Sequence, residues 1–292
     1  MELQIKNLSK TYQNGVKALI NVNLTIPNGL FGLLGPNGAG KSTLMRTIAT
    51  LQEADNGSIF LDDLNVLTEK HEVRKILGYL PQEFGTYNSV TASEMLDHIA
   101  VLKGVTDKNI RKALTLRLLK QTNLYDVKDK KLGSFSGGMK QRFGVAQAML
   151  GNPKILIVDE PTAGLDPAER KRFLNMLSEI GEQVVVILST HIVDDVSDIC
   201  TYMSIIDKGE VKYTGTPQEA IELLKGKVWK KTITKGEEST YTDSYNILSS
   251  KHADGMIDIH VYSEKSPGVF ERANPDLEDV YFAAIHNHIS NS

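Results

Sequence analysis

The stretch 31-FGLLGPNGAGKST-43 decides the fold of this 292-residue chain. An apolar run, Leu30 to Leu34, leads into a glycine-rich loop and then into a helix start. Glycine has no Cβ, so the backbone N–H groups of such a loop can surround an anion closely. The order G-x-x-x-x-G-K-[ST] predicts that Lys41 holds the β and γ phosphates of a nucleotide and that the Ser42 hydroxyl binds Mg²⁺. The predicted phosphate site comprises Gly35, Pro36, Asn37, Gly38, Ala39, Gly40, Lys41, Ser42 and Thr43.

Apolar runs like Leu30 to Leu34 recur between helical stretches. Four more are rich in valine and isoleucine: Ile76 to Leu80, Ile155 to Val158, Val184 to Leu188 and Met203 to Ile206. Runs of this kind are typical of parallel strands that are buried on both faces, so we expect an α/β core with a mostly parallel sheet. Shorter alternating segments predict an antiparallel β subdomain beside it: Leu3 to Leu8, Val22 to Ile26 and Ile59 to Leu61.

Two further segments depart from this strand pattern. Residues of about 90–150 carry helical spacing and predict an inserted α-helical subdomain. After Gly215-Thr216-Pro217 the pattern changes again, and we divide the chain into a domain at 1–217 that contains the phosphate loop and a small C-terminal α+β domain at 218–292. In its last helix, within NPDLEDVYFAAI, Asn274 is the expected cap and Pro275 the first helical residue.

Polar residues follow three of the apolar strands. In KILIVDEPTAGLD, Asp159 and Glu160 come at the carboxyl edge of a parallel sheet, where ligands bind. We expect Asp159 to hold Mg²⁺ and Glu160 to act as general base toward a water that attacks the γ phosphate. His191, in VVVILSTH, is expected to contact the γ phosphate, and Gln82, in GYLPQ, to reach the metal or the water. On their own, the two acids could also be solvated strand-end residues.

The bulk composition limits the classes of partner. A formal net charge of −3 provides no basic field for nonspecific nucleic-acid binding, so we expect no nucleic-acid partner. The N-terminus lacks the apolar core of a signal peptide, and no apolar run approaches the ~18 residues of a membrane span. The only cysteine, Cys200, is interpreted as a core residue because it lies in an apolar setting with Val196, Ile199 and Met203.

The ordered motifs resemble the nucleotide-binding subunit of an ATP-binding cassette (ABC) transporter over residues 1–217. The matching elements are Tyr12, GPNGAGKST, GYLPQ, FSGGMKQR, ILIVDE, AGLD and STH. The resemblance implies that Tyr12 stacks on adenine and that Asp166 crosses a dimer interface. It also implies that Ser136, Gly137 and Gly138 close over ATP held by the opposite subunit, with a hydroxyl and helix-start N–H groups.

The same resemblance implies the cofactors, partners and location. These are ATP and Mg²⁺, a second copy of the chain or a homologous ATPase subunit, and an integral membrane permease, with the protein peripheral on the cytoplasmic face of the membrane. The sequence departs from the commonest signature at Phe135 and Met139, and Ala163 replaces the usual serine before Gly164. Methionine removes the polar contact that glutamine makes across the dimer, whereas backbone contacts survive.

Two alternatives stay open at this point. A soluble ABC-family ATPase that acts in regulation, translation or DNA maintenance is the second class of function; the single cassette, without long heptads between Lys41 and Asp159, favours the transporter. The short tail resembles ABC-2 type exporters, so we expect export, with the cargo undefined. The stretch 225-KGKVWKK-231 could rest on lipid headgroups, but we interpret it as a solvated strand with a docked tryptophan.

Overall fold

The computed structural model describes residues 1–85, 87–253 and 255–289, in which strands and helices alternate along most of the chain. The strands are β1 (Leu3–Thr11), β2 (Lys17–Ile26), β3 (Leu30–Leu34), β4 (Asn56–Leu61), β5 (Leu64–Asn65), β6 (Leu77–Leu80), β7 (Ile155–Asp159), β8 (Val185–Thr190), β9 (Tyr202–Asp207), β10 (Glu210–Gly215), β11 (Val228–Thr234), β12 (Asn246–Ala253), β13 (Met256–Tyr262) and β14 (Glu271–Arg272). The α-helices are α1 (Lys41–Ile48), α2 (Lys70–Ile76), α3 (Ala92–Leu102), α4 (Lys108–Gln121), α5 (Gly137–Ala148), α6 (Pro167–Gly181), α7 (Val193–Ile199), α8 (Pro217–Leu223), α9 (Glu238–Ser244) and α10 (Leu277–Ile285).

The central sheet has six strands in the order β10-β9-β3-β8-β7-β6. All neighbouring strands in it are parallel except the edge pair β10 and β9. Leu34 of β3 is paired with Thr190 of β8, and Asp159 of β7 with Ser189 of β8. The carboxyl ends of three strands therefore meet at one edge, which confirms the predicted parallel core.

Both faces of this sheet are buried, and its residues alternate between two hydrophobic cores. In β7, Ile155 and Ile157 pack with the antiparallel strands and α1, while Leu156 and Val158 pack with the helices on the other side. Alternation follows from the two-residue period of a strand. The predicted antiparallel subdomain is the sheet β2-β1-β4-β5, whose buried residues, such as Leu3 and Ile26, complete the first core.

The predicted helical insert is present and consists of α3, α4 and α5. Thr91 and Glu94 form a reciprocal capping box at the start of α3, and Asp107 caps α4. Such caps satisfy backbone N–H groups that a helix leaves free at its N-terminus. Leu96 of α3 and Phe143 of α5 are fully buried in the core that also contains Val158 of β7, so the insert is packed firmly on the site-bearing strands.

The C-terminal residues form a four-stranded antiparallel sheet, β12-β13-β11-β14, and the helix α10. Trp229 of β11 is buried in the core of this sheet and its Nε1 donates to the Ser263 carbonyl at 2.9 Å, which confirms the docked-tryptophan interpretation. The predicted start of the last helix is wrong. The cap of α10 is Asp276, two residues after the predicted cap Asn274. The backbone N–H of each of Asp276 and Asp279 donates to the carboxylate of the other, and these two bonds fix the first turn of the helix.

The boundary at 217/218 remains a prediction, and the predicted domain 218–292 extends beyond the described residues. Val280 and Ala284 of α10 belong to the same core as the helical insert and one face of the central sheet. Cys200 lies in this core as well and is a buried free thiol, as expected.

Candidate active site

The loop between β3 and α1 has a conformation that only glycine can adopt at two positions. A Cβ at Gly35 would lie 2.3 Å from the Ile206 carbonyl oxygen. At Gly40 the φ angle is +107°, and a Cβ would lie 2.4 Å from the Ala18 carbonyl oxygen. Gly40 is also the N-cap of α1 and, being glycine, offers no side chain to the first-turn N–H groups. The start of α1 can therefore bind an anion.

Lys41 lies at the centre of this site. Its Nζ atom donates to the carbonyl oxygens of Gly35 at 2.7 Å and Pro36 at 3.1 Å. The same atom forms a salt bridge to Glu160 Oε1 at 3.0 Å. Lys41 is 4% exposed and Glu160 8% exposed, so both charges are removed from water and each depends on its partners. The structure thus brings the predicted phosphate lysine and the predicted general base into contact.

Asp159 and Ser42 face each other beside this pair. Ser42 Oγ donates to Asp159 Oδ1 at 3.3 Å, and Ser189 Oγ donates to the same oxygen at 2.8 Å. Gln82 lines the adjoining cavity. Hydroxyl, carboxylate and amide oxygens are ligands that Mg²⁺ accepts, with phosphate oxygens and water completing its octahedron. These three predicted ligands therefore fit a Mg²⁺ ion bound together with a nucleotide.

Glu160 is held from two sides. His191 Nδ1 lies 3.1 Å from Glu160 Oε2, whereas Lys41 Nζ lies 3.0 Å from the other oxygen, Oε1. The backbone of Glu160 has φ +46°, a left-handed conformation, and its N–H donates to the Ser189 carbonyl at 3.0 Å. A left-handed backbone at a non-glycine residue costs energy and is found preferentially at functional sites. The turn after β7 therefore places the carboxylate between an ammonium group and an imidazole.

A cavity of about 660 Å³ opens over these groups. Its lining residues are Tyr12, Val16, Lys17, Ala18, Asn37, Gly38, Gly40, Lys41, Ser42, Thr43, Gln82, Glu160 and Lys208. Tyr12 is 36% exposed at the rim, where its hydroxyl lies 3.0 Å from Thr43 Oγ1 and donates to Gln52 Oε1 at 3.0 Å. The hydrogen bonds fix the ring and leave part of it accessible to a flat ligand.

Lys17 and Lys208 were missed by sequence reasoning. Lys17 begins β2 and Lys208 lies in the turn between β9 and β10, and both line the cavity. Neither lysine belongs to a motif, so no signal in the sequence distinguishes them from other surface lysines. Their charges add to that of Lys41 and favour a polyphosphate ligand.

The other predicted nucleotide-binding residues lie elsewhere on the chain. Ser136 caps α5 by accepting from Met139 N at 3.2 Å, and Asp166 caps α6 by accepting from Glu169 N at 2.9 Å. Ser136 and Gly137 are exposed, whereas Gly138 is buried against Glu169. Within the described residues, none of these four predicted residues lines the cavity. A single chain does not bring them to its own phosphate loop.

The fold and the site together define a P-loop nucleotide-binding protein with an inserted helical subdomain. The ABC transporter family matches residues 19–163. The chain is 33% identical to the uncharacterized ABC transporter ATP-binding protein YxlF of Bacillus subtilis (strain 168), over 97% of this chain and 99% of that protein. This chain therefore belongs to the ABC transporter family and is an ATP-binding subunit of an ABC transporter.

Other relatives carry different transport names. The probable multidrug ABC transporter ATP-binding protein YbhF of Escherichia coli (strain K12) is 36% identical over 72% of this chain, which spans 36% of that longer protein. The methionine import ATP-binding protein MetN 1 of Staphylococcus aureus (strain N315) is 31% identical over 90% of this chain and 80% of that protein. The relatives thus include a protein named for import and one named for multidrug transport.

Solved structures share the fold. The ATP-binding cassette MJ0796, solved as a dimer in a post-hydrolysis state with ADP and Pi, superimposes with a TM-score of 0.66 and 27% identity. The match covers 73% of this chain and 98% of that one. Among residues 1–85, 87–253 and 255–289, no helix combines the length and the apolar character that a membrane crossing requires.

Proposed function

We propose that this subunit hydrolyses ATP between two copies of itself, or between itself and a homologous ATPase subunit, and thereby drives a separate membrane permease. The observation that carries the proposal is the position of Glu160, whose two carboxylate oxygens contact Lys41 and His191. A carboxylate at this point, beside an anion-binding helix start, is suited to remove a proton from a water molecule that attacks a terminal phosphate.

The proposed reaction assigns one task to each side chain. The attacking water loses its proton to Glu160 as its oxygen bonds to the γ phosphorus, and the bond to the bridging oxygen of ADP breaks. Lys41 leaves the carbonyl oxygens of Gly35 and Pro36, donates instead to oxygens of the β and γ phosphates, and stabilises their charge. His191 contacts the γ phosphate and orients Glu160. Ser42, Asp159 and Gln82 would hold Mg²⁺, which would supply further positive charge at the phosphates.

The second half of the catalytic pocket is proposed to come from the partner subunit. Ser136 and Gly137 are exposed at the start of α5, where helix N–H groups favour an anion, and they do not line the cavity of their own chain. Asp166 is exposed at the start of α6. The related cassette MJ0796 was solved as a dimer, which supports the pairing of two such subunits. Bound ATP then joins the two subunits, and loss of phosphate separates them.

A groove between the helical insert and the central sheet is proposed to receive the permease. It has a volume of about 470 Å³, and two of its lining residues, Pro81 and Phe84, lie close to Gln82 in the sequence. Apolar side chains dominate it, among them Leu51, which is 62% exposed, and Ile99 of α3. An exposed apolar groove next to Gln82, which lines the proposed nucleotide cavity, is suited to transmit movement to a partner. This docking would hold the subunit at the cytoplasmic face of the membrane.

Export is the proposed direction of transport. The name of YbhF, a probable multidrug ABC transporter ATP-binding protein, supports it. The methionine import protein MetN 1 is the relative that argues for import. In this proposal the permease supplies the contacts to the cargo.

Two measurements test the proposed function. Purified protein should release phosphate from ATP only when Mg²⁺ is present, and its membrane partner should copurify from native membranes. Leu51→Asp should weaken that copurification while the exposed control Lys112→Asp should not, because only Leu51 lies in the groove. Association with ribosomes or DNA in place of a permease would favour the alternative, an ABC ATPase that acts in regulation, translation or DNA maintenance.

A further inference from the structure

A buried carboxylate near the start of α7 lies outside the predicted site. Asp195 is fully buried, with 0% exposure. Its Oδ1 atom accepts from Arg170 Nε at 2.6 Å. Its Oδ2 atom accepts from Thr162 Oγ1 at 2.6 Å and from Thr190 Oγ1 at 2.9 Å. A buried charge is tolerated only when its lone pairs are satisfied, and three donors from three different segments satisfy this one.

The three donors come from the segments that carry the proposed catalytic and interface groups. Thr162 lies two residues after Glu160, and Thr190 directly precedes His191. Arg170 lies one turn into α6, the helix whose cap is Asp166. Asp195 therefore connects the turn after β7, the end of β8 and the start of α6 through one side chain.

These bonds restrict the movements that would separate Glu160 from His191. Thr190 Oγ1 also accepts from the N–H of Ile192, so the backbone on both sides of His191 is fixed to the same hydroxyl. The backbones of these two segments are joined by the bond from the Glu160 N–H to the Ser189 carbonyl, but the contact between His191 Nδ1 and Glu160 Oε2 is made by side chains beyond the paired strands. A charge-assisted bond in a dry interior is directional and strong enough to hold them.

We propose that Asp195 is a positioning residue that keeps Glu160 and His191 in reacting geometry and couples them to the Asp166 segment at the subunit interface. Among the described residues, Asp195 is not one that lines the cavity, and its side-chain hydrogen bonds go to Arg170, Thr162 and Thr190 and not to Lys41 or the phosphate loop. Asp195 should therefore affect the rate of the chemical step, whereas nucleotide affinity should depend on the residues around Lys41. The inference rests on the proposed function, since it concerns the rate of ATP hydrolysis.

Pairs of variants at the two threonines test the inference. Thr162→Val and Thr190→Val remove a hydroxyl and keep the shape, whereas Thr162→Ser and Thr190→Ser keep the hydroxyl. The matched control is Thr122→Val, because Thr122 is a buried threonine of the helical insert whose hydroxyl donates to the Leu118 carbonyl. Asp195→Asn removes the charge itself, and the threonine variants keep the test decisive if this variant does not fold.

The expected result is a split between kcat and KM. Each valine variant should lower kcat about 10- to 100-fold, the effect of a small misplacement of reacting groups, with KM for ATP and nucleotide affinity changed less than about 2-fold. The serine variants should restore most of kcat, and Thr122→Val should leave kcat unchanged even where it lowers the melting temperature.

Other outcomes overturn the inference in distinguishable ways. Valine variants that keep wild-type kcat, or that lose nucleotide affinity and kcat equally, would show that Asp195 has a purely structural role. Serine variants as slow as the valine variants would show that the hydroxyl bonds do not matter. Wild-type protein that fails to hydrolyse Mg-ATP in its verified dimer would overturn the proposed function and this inference with it.

Discussion

Lys41 Nζ lies 3.0 Å from Glu160 Oε1, and this buried salt bridge joins the start of α1 to the end of β7. Each charge has been taken out of water, so neither can lose its partner without a replacement. In the proposed mechanism a nucleotide phosphate is that replacement for Lys41, because its oxygens can accept the bonds that Glu160, Gly35 and Pro36 accept in this structure. We therefore expect nucleotide binding to free the Glu160 carboxylate to accept a proton from water.

The first prediction concerns the phosphate lysine. Lys41→Ala should weaken ATP binding about 10- to 100-fold, the equivalent of one or two bonds to a charged group. Titration of purified protein with a fluorescent ATP analogue measures the change, and Lys112→Ala, on the exposed face of α4, is the control. Unchanged affinity in folded Lys41→Ala protein would contradict the assignment of the phosphate loop.

The second prediction concerns the general base. Glu160→Gln keeps the size of the side chain and removes its basicity, so phosphate release should fall about 100- to 10,000-fold while ATP binding persists. The dimer should accumulate with Mg-ATP, which size-exclusion chromatography can detect. Glu182→Gln, at the exposed end of α6, should behave as wild type. A Glu160→Gln protein with normal turnover would remove Glu160 from this role.

The third prediction concerns sharing of the pocket between subunits. A Cβ at Gly137 has room within its own chain, since its nearest neighbour would be Leu165 Cδ2 at 3.8 Å. Gly137→Ala should therefore fold normally yet lose most ATPase activity, because the added methyl group meets the phosphates of the partner's ATP.

Mixing two inactive variants tests the same point directly. A mixed dimer of Gly137→Ala and Lys41→Ala contains one pocket with an intact phosphate loop and an intact Ser136 segment. Such dimers should recover part of the wild-type activity, measured as phosphate release after verified subunit exchange. No recovery would count against a pocket shared between subunits.

The fourth prediction concerns pH and the C-terminal sheet. His260 Nδ1 lies 3.0 Å from both carboxylate oxygens of the fully buried Asp279. The hydrogen bond to Asp279 raises the pKa of His260 above its usual value and outweighs burial, which lowers this pKa. The charge of Asp276 also raises the pKa of His260, and the charge of Lys251 lowers it. A raised folded-state pKa stabilises the fold below the unfolded-state pKa of about 6.5, and this contribution is lost as the pH rises through the folded-state pKa.

Melting temperatures of wild-type protein and His260→Gln measure this effect. The wild-type advantage should be largest at about pH 6 and should shrink steadily as the pH is raised through the folded-state pKa of His260. A difference that stays constant over this range would mean that the charge of His260 contributes nothing to stability.

Much of this architecture could be predicted because strand and loop patterns are local. The five apolar runs became neighbouring strands of one sheet, and GPNGAGKST became the loop from β3 to α1. The start of α10 could not be predicted in the same way. The predicted cap was Asn274, whereas the observed cap is Asp276. The position of the cap depends on the bond that Asp279 makes in the folded chain.

The sequence by itself predicted the phosphate loop, because the missing Cβ of Gly35 and Gly40 and the charge of Lys41 are properties of the residues themselves. Tertiary structure alone decided that Lys17 and Lys208 line the cavity and that Thr162 and Thr190 share Asp195. These contacts join positions far apart in the chain. Their distances depend on strand order and register, which no local pattern specifies.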